Sequence, residues 1–200
     1  MTALAGVLLA GCTASDGLRD NGPASKVSAP PTPSPVWPDL PTPSPSGEEW
    51  DAGGPFDVVP GVRAPDGDLR KVPARDLLAA DRNPTVEGML RKCHDGPCRL
   101  RKPVYRDLTG DGRDELVLGY AGPGNRILVE VYRAEGSKVR PVLLHWGEPG
   151  LTAETVGRDL VLREVLYGEV SAARYRWNGT IMSHVSTESR QGPAARPPSR

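Results

Sequence analysis

Two hundred residues allow one domain, or two small ones. The chain carries 22 Pro and 23 Gly, near the level of low-complexity sequences, so the folded part is expected to be shorter than the whole. Lys and Arg balance Asp and Glu at 25 each. With no long basic block of the kind that tracks phosphates, this argues against nucleic acid as a partner.

The chain opens MTALAGVLLAGCTAS. This apolar run is too short to cross a bilayer, which takes about 20 apolar residues, but it suits the h-region and small-residue cleavage site of a secretory signal. Leu9-Ala10-Gly11-Cys12 resembles the lipobox of bacterial lipoproteins, in which the cysteine is diacylated and becomes the mature N-terminus. The expectation is a signal peptide over 1–11, a lipid on Cys12, and a protein held on the extracytoplasmic face of the cell membrane. A signal should also carry a charged n-region, yet no Lys or Arg precedes Arg19; a true start upstream of Met1 would account for this.

From Pro30 to Pro45, eight of sixteen residues are proline. Such a stretch favours extended polyproline II and buries little, so 12–55 reads as a Pro/Ser-rich flexible linker. A proline-rich ligand for an aromatic groove is the other use of this composition. A single globular α+β domain is expected over 56–189, and a loose tail over 190–200.

Within that domain, VPARDLLAADRNPTVEGMLRKC supplies two short helices. Leu77, Leu78 and Ala80 face inward, and Pro84 opens the second helix at its first turn. From Cys98 onward the apolar period becomes two. ELVLGY reads as a strand, and RILVEVYRAEGSKVRPVLLHW as a hairpin turning near Gly136, with Ile127, Val129 and Val131 on one face. LTAETVGRDLVLREVLYG repeats the pattern about Gly157. In ARYRWNGTIMSHV, Asn178-Gly179 suits a two-residue type I′ turn, which would pair Tyr175 with Met182 and Trp177 with Thr180. The expected fold is α+β: short N-terminal helices followed by a small antiparallel β-meander.

DLTGDGRDELVLGY is the densest chemistry. Asp107, Thr109, Asp111, the Arg113 carbonyl and Glu115 fall on alternate residues, with Gly112 at the sharp turn, which is the spacing of oxygen ligands around Ca²⁺. Leu118 stands where an EF-hand needs its bidentate Glu, and a strand follows instead of a helix. The loop resembles that of FG-GAP and related propeller repeats, in a single copy and with Thr109 replacing an acidic ligand. A tight turn whose Asp side chains bond backbone amides is the alternative. If calcium binds, its expected role is to pin a hairpin.

Cys93 and Cys98 frame CHDGPC and are expected to form a disulfide in an oxidising compartment. Zinc would need further ligands, and only His94 is adjacent. Gly-x-Ser-x-Gly, Ser-x-x-Lys, His-Glu-x-x-His and a phosphate-cradling loop are all missing. His94, His145 and His184 are scattered, and read as structural. No catalytic residue is assigned and the chain is not expected to be an enzyme.

Taken together, the lipobox, the proline stalk, CHDGPC, DLTGDGRDELVLGY and GLRDNGPA resemble the CseA-type lipoproteins of actinobacteria. The resemblance implies a negative modulator of cell-envelope-stress signalling, acting outside the membrane on a sensor kinase linked to an extracytoplasmic-function sigma factor. Cys12 alone carries over as a functional residue. The alternative is a lipid-anchored binding module for calcium or for a cell-wall glycan or peptide.

Overall fold

A computed structural model describes residues 30–39, 50–52, 55–93, 99–122, 126–166 and 168–191. In chain order the elements are β1 (Ser34–Pro35), β2 (Trp50–Ala52), α1 (Ala74–Ala80), α2 (Pro84–Cys93), β3 (Arg99–Leu100), β4 (Val104–Arg106) and β5 (Glu115–Ala121). They continue with β6 (Ile127–Glu135), β7 (Lys138–Gly147), β8 (Thr152–Val156), β9 (Asp159–Leu166), β10 (Glu169–Trp177) and β11 (Met182–Gln191).

The strands form two antiparallel sheets. One runs β1-β8-β9-β10-β11; the other runs β2-β7-β6-β5-β3, with β4 following β3 along the same side of β5. The sequence explains why one meander is not enough. Residues 115–120 and 127–132 are buried at every position, so the strands of the second sheet are apolar on both faces and need two covers. Val117, Val129, Val131 and Leu143 pack against Leu160, Leu162, Ala173 and Met182 of the first sheet. On the other face, Leu116, Leu118, Leu128 and Leu144 pack against Leu77, Leu78, Val86 and Met89 of the helices. The result is three layers, predominantly β.

The helices form as the sequence indicates. Asn83 caps α2 by accepting the Thr85 amide at 2.9 Å, and Pro84 takes the first position, where no amide donor is required. Leu77 and Leu78 are buried and Ala80 half-buried. The helices are not N-terminal, however: β1 and β2 precede them and belong to different sheets.

The proline-rich stretch departs furthest from expectation. Residues 34–37, placed in the flexible linker, are built into the domain, as is the β2 backbone at 50–52. Ser34 and Pro35 pair with Thr155 and Glu154 at the edge of the first sheet, where a residue without an amide proton is tolerated. Val36 donates to the Ala153 carbonyl at 2.7 Å. Val36 and Trp37 then enter the core between the sheets, with Trp37 Nε1 donating to the Lys102 carbonyl at 3.0 Å. Trp37 fits because residue 119 is glycine; a Cβ there would run into its indole ring. Burying a Val and a Trp recovers several kcal/mol, enough to order a short proline segment.

The hairpin about Gly136 and the turn about Gly157 fall where expected. The β10–β11 turn is longer than the two-residue form: Trp177 pairs with Met182, and Tyr175 with His184. Asn178 is the cause. Its side-chain oxygen accepts the amides of Thr180 and Ile181 at 2.9 and 3.0 Å, which puts Asn178 at the base of the turn instead of its tip. β11 continues to Gln191, two residues past the expected domain end.

One polar group lies deep in the helix-side core. Tyr132 Oη is 2.8 Å from Glu130 Oε2 and 2.9 Å from Asp81 Oδ2. A tyrosine hydroxyl has one proton, so it can donate to only one carboxylate and must accept from the other. Complete burial raises the Glu130 carboxyl well above its ordinary range, with the nearby Asp81 charge adding to the rise. The rise favours Glu130 as the carboxyl that holds a proton and donates to Tyr132, which would leave Tyr132 to donate to Asp81.

Candidate functional site

The loop between β4 and β5 is closed by its own carboxylates. Asp107 accepts the amides of Gly110 and Gly112, at 2.5 and 3.2 Å, and Asp111 accepts that of Arg113 at 2.9 Å. Glu115 Oε2 accepts the amides of Leu108 and Thr109 at 2.8 and 3.0 Å, while Oε1 accepts the Thr109 hydroxyl at 3.3 Å. Gly110 and Gly112 hold φ of +82° and +80°, a region that glycine occupies without strain. At Gly110 a side chain would also collide with the guanidinium of Arg158.

The cation facing these carboxylates is an arginine. Arg133 Nη2 donates to Asp111 Oδ2 at 2.9 Å, its Nε lies 3.9 Å from Glu115 Oε1, and its guanidinium sits 5.1 Å above the Trp177 ring. Burial would raise the Asp111 carboxyl, but the Arg113 amide and the Arg133 guanidinium hold it below its ordinary value. Burial pushes Glu115 up to about 7, against the amides it accepts, and the Asp111 charge adds to that rise. Among the described residues, no three His, Cys, Asp or Glu side chains come together to hold a metal ion. Of the donors expected at Asp107, Thr109, Asp111, Arg113 and Glu115, the three carboxylates accept amides, Asp111 also meets Arg133, and the Thr109 hydroxyl donates to Glu115. As arranged, these carboxylates are those of the tight-turn alternative.

The loop braces a groove beside it. Asp114 makes an ion pair with Arg70, whose guanidinium lies 4.9 Å from the centre of the Tyr105 ring. From there a groove of about 560 Å³ runs between Pro35–Asp39 on one wall and Arg101–Arg106 on the other. This size is in the range of clefts that bury a small ligand or a short chain segment. Among the described residues, four cations line it, Arg70, Arg101, Lys102 and Arg106, and Asp39 is the one carboxylate.

Arg101 is fixed in place. Its guanidinium stacks 4.7 Å from the centre of the Trp37 ring and donates to the Leu151 carbonyl at 2.9 Å. Burial alone pushes its pKa down to about 10. Arg106 donates to the Tyr105 carbonyl at 2.9 Å. Among the described residues, Arg101, Lys102 and Arg106 have no carboxylate within ion-pair distance; of the four cations only Arg70 does. The sequence signal was Arg99-Leu-Arg-Lys-Pro-Val-Tyr-Arg106, with four cations in eight residues, too short to register as a basic block. Arg70 and the proline wall come from elsewhere in the chain.

Of the remaining expected residues, Cys12 lies outside those described. Cys93 is held in a disulfide, and its expected partner, Cys98, lies outside the described residues, as does His94. His145 is buried between the sheets, with Nδ1 2.9 Å from Tyr175 Oη and Nε2 3.4 Å from Glu164 Oε1. The latter contact lacks hydrogen-bond alignment, and Nε2 has no hydrogen-bond partner. His184 is at the surface, edge-on to Tyr175. Tyr120 and Tyr132 are core residues, while Tyr105 and Trp146 pack at its margin.

No family model, no curated protein and no solved structure matches this chain.

Proposed function

We propose that this chain is a lipid-anchored extracytoplasmic protein that works by binding, as a negative modulator of a sensor kinase and sigma-factor pathway for envelope stress. One observation carries the reading. The proline segment downstream of Cys12 is a strand of the domain, and the same segment walls the cationic groove. Anchor and site would thus be joined through the fold. Two acyl chains give stable attachment where one is marginal, and confinement raises the local concentration of the domain near a membrane-embedded partner, so that a weak contact suffices.

The test is genetic. Deleting the gene is expected to raise the output of an envelope-stress reporter, and Cys12→Ala is expected to release the protein from the membrane fraction and reproduce the deletion. An unchanged reporter in a clean deletion overturns the regulatory role. Full membrane retention of Cys12→Ala overturns the anchor.

A further inference from the structure

The cationic groove is a place where charge is left unanswered. The chain as a whole is neutral, so the excess is local and not part of a diffuse positive field. Three of the four lining cations lack a carboxylate partner among the described residues, and one of these, Arg101, is partly desolvated and pinned by Trp37 and Leu151. A desolvated guanidinium gains most from a charged acceptor, and one already fixed loses little freedom on meeting it. We propose that the groove between Pro35–Asp39 and β4 is a docking site for an extended acidic segment of a partner protein. This rests on the reading that the domain acts by binding, and it adds the chemistry of what is bound.

Two features favour a peptide over other anions. β4 pairs with β5 along one edge, and among the described residues no strand pairs with the other, so an incoming segment can lie along a sheet margin. Arg106 shields one carbonyl of that margin, that of Tyr105, and would turn toward a carboxylate when one arrives. A sugar would need open aromatic faces, but Trp37 is buried under Arg101 and a face of Tyr105 is covered by Arg70.

The experiment is a titration of the purified full chain with a fluorescent peptide of about ten residues alternating Glu and Thr, beside a matched Gln peptide. The Glu peptide is expected to bind, to weaken as salt rises from about 50 to about 500 mM, and to bind about tenfold more weakly to the Lys102→Glu, Arg106→Glu double variant. Lys102 is exposed and Arg106 only half-buried, so the fold is expected to survive; if melting shifts, the Lys102→Gln, Arg106→Gln pair replaces it. Equal binding of the Gln peptide, undiminished binding by the variant, or no binding at about 1 mM peptide overturns the proposal. So does capture by phosphatidylglycerol vesicles that the Glu peptide does not compete away, which would make the occupant an anionic lipid. The titration needs neither lipid anchor nor host signalling, so its failure and the failure of the genetic test are separate results.

Discussion

The loop at Asp107–Glu115 and the groove along Arg101–Arg106 adjoin in the chain, yet they treat charge in opposite ways. In the loop Asp107, Asp111 and Glu115 accept backbone amides, and Asp111 and Glu115 also face Arg133. In the groove, Arg101, Lys102 and Arg106 meet a carbonyl, an aromatic face or solvent. A closed network specifies shape, and removing one member strands the others. An open one contributes little to stability and is available to a partner. The salt bridge from Asp114 to Arg70 joins the two, so the loop positions one side of the groove.

This contrast predicts where stability resides. Trp37→Ala should cost most, about 3–5 kcal/mol, because it empties a buried aromatic site and frees Arg101 together with the strap formed by residues 34–37. Urea unfolding measures it, and a loss below about 1 kcal/mol would mean the strap lies outside the cooperative core. Glu115→Ala should follow, at about 2–4 kcal/mol, since it leaves buried amides and Arg133 without their acceptor.

A smaller effect is a pH dependence with a defined sign. Glu115 and Glu130 both have carboxyl pKa values raised by folding, so between the ordinary carboxylate range and their folded values the native state binds more protons than the unfolded chain. Their contribution is complete below about pH 4.5 and falls as pH rises, through about 7 for Glu115 and in the same direction for Glu130. The melting temperature should decline over that window, and Glu130→Gln, which keeps a donor for Tyr132, should flatten the decline. A slope unchanged in that variant would reassign the proton. Least of all, Lys102→Glu should move stability by no more than about 0.5 kcal/mol. Millimolar calcium should leave melting where it is, and a rise of several degrees would reopen the loop as a metal site.

Much of the fold was legible because periodicity survives burial. The apolar runs at 116–120 and 127–132, the latter broken only by Glu130, signal strands, and Pro84 after Asn83 signals a helix start. The second sheet and the strap were less visible, for physical reasons. Proline composition argues for an open chain, and only Val36-Trp37, two bulky apolar residues among prolines, hints at a segment with something to bury. At Asn178, a side chain that outcompetes the backbone for two amides lengthened the turn. Calcium-like spacing in the loop is real, but spacing alone does not say whether amides or a cation take the oxygens. Half of the groove was in plain view as Arg99–Arg106, and the other half depended on where a linker folds.

The account turns on whether residues 34–37 form a wall of the domain. Hydrogen exchange of the full chain, followed at the Val36 amide and across Val104–Arg106 with and without the acidic peptide, tests this directly. The prediction is a Val36 amide protected like those of β8, with further slowing at Val104–Arg106 when the peptide is added. Exchange of Val36 at the rate of an unstructured chain would contradict it.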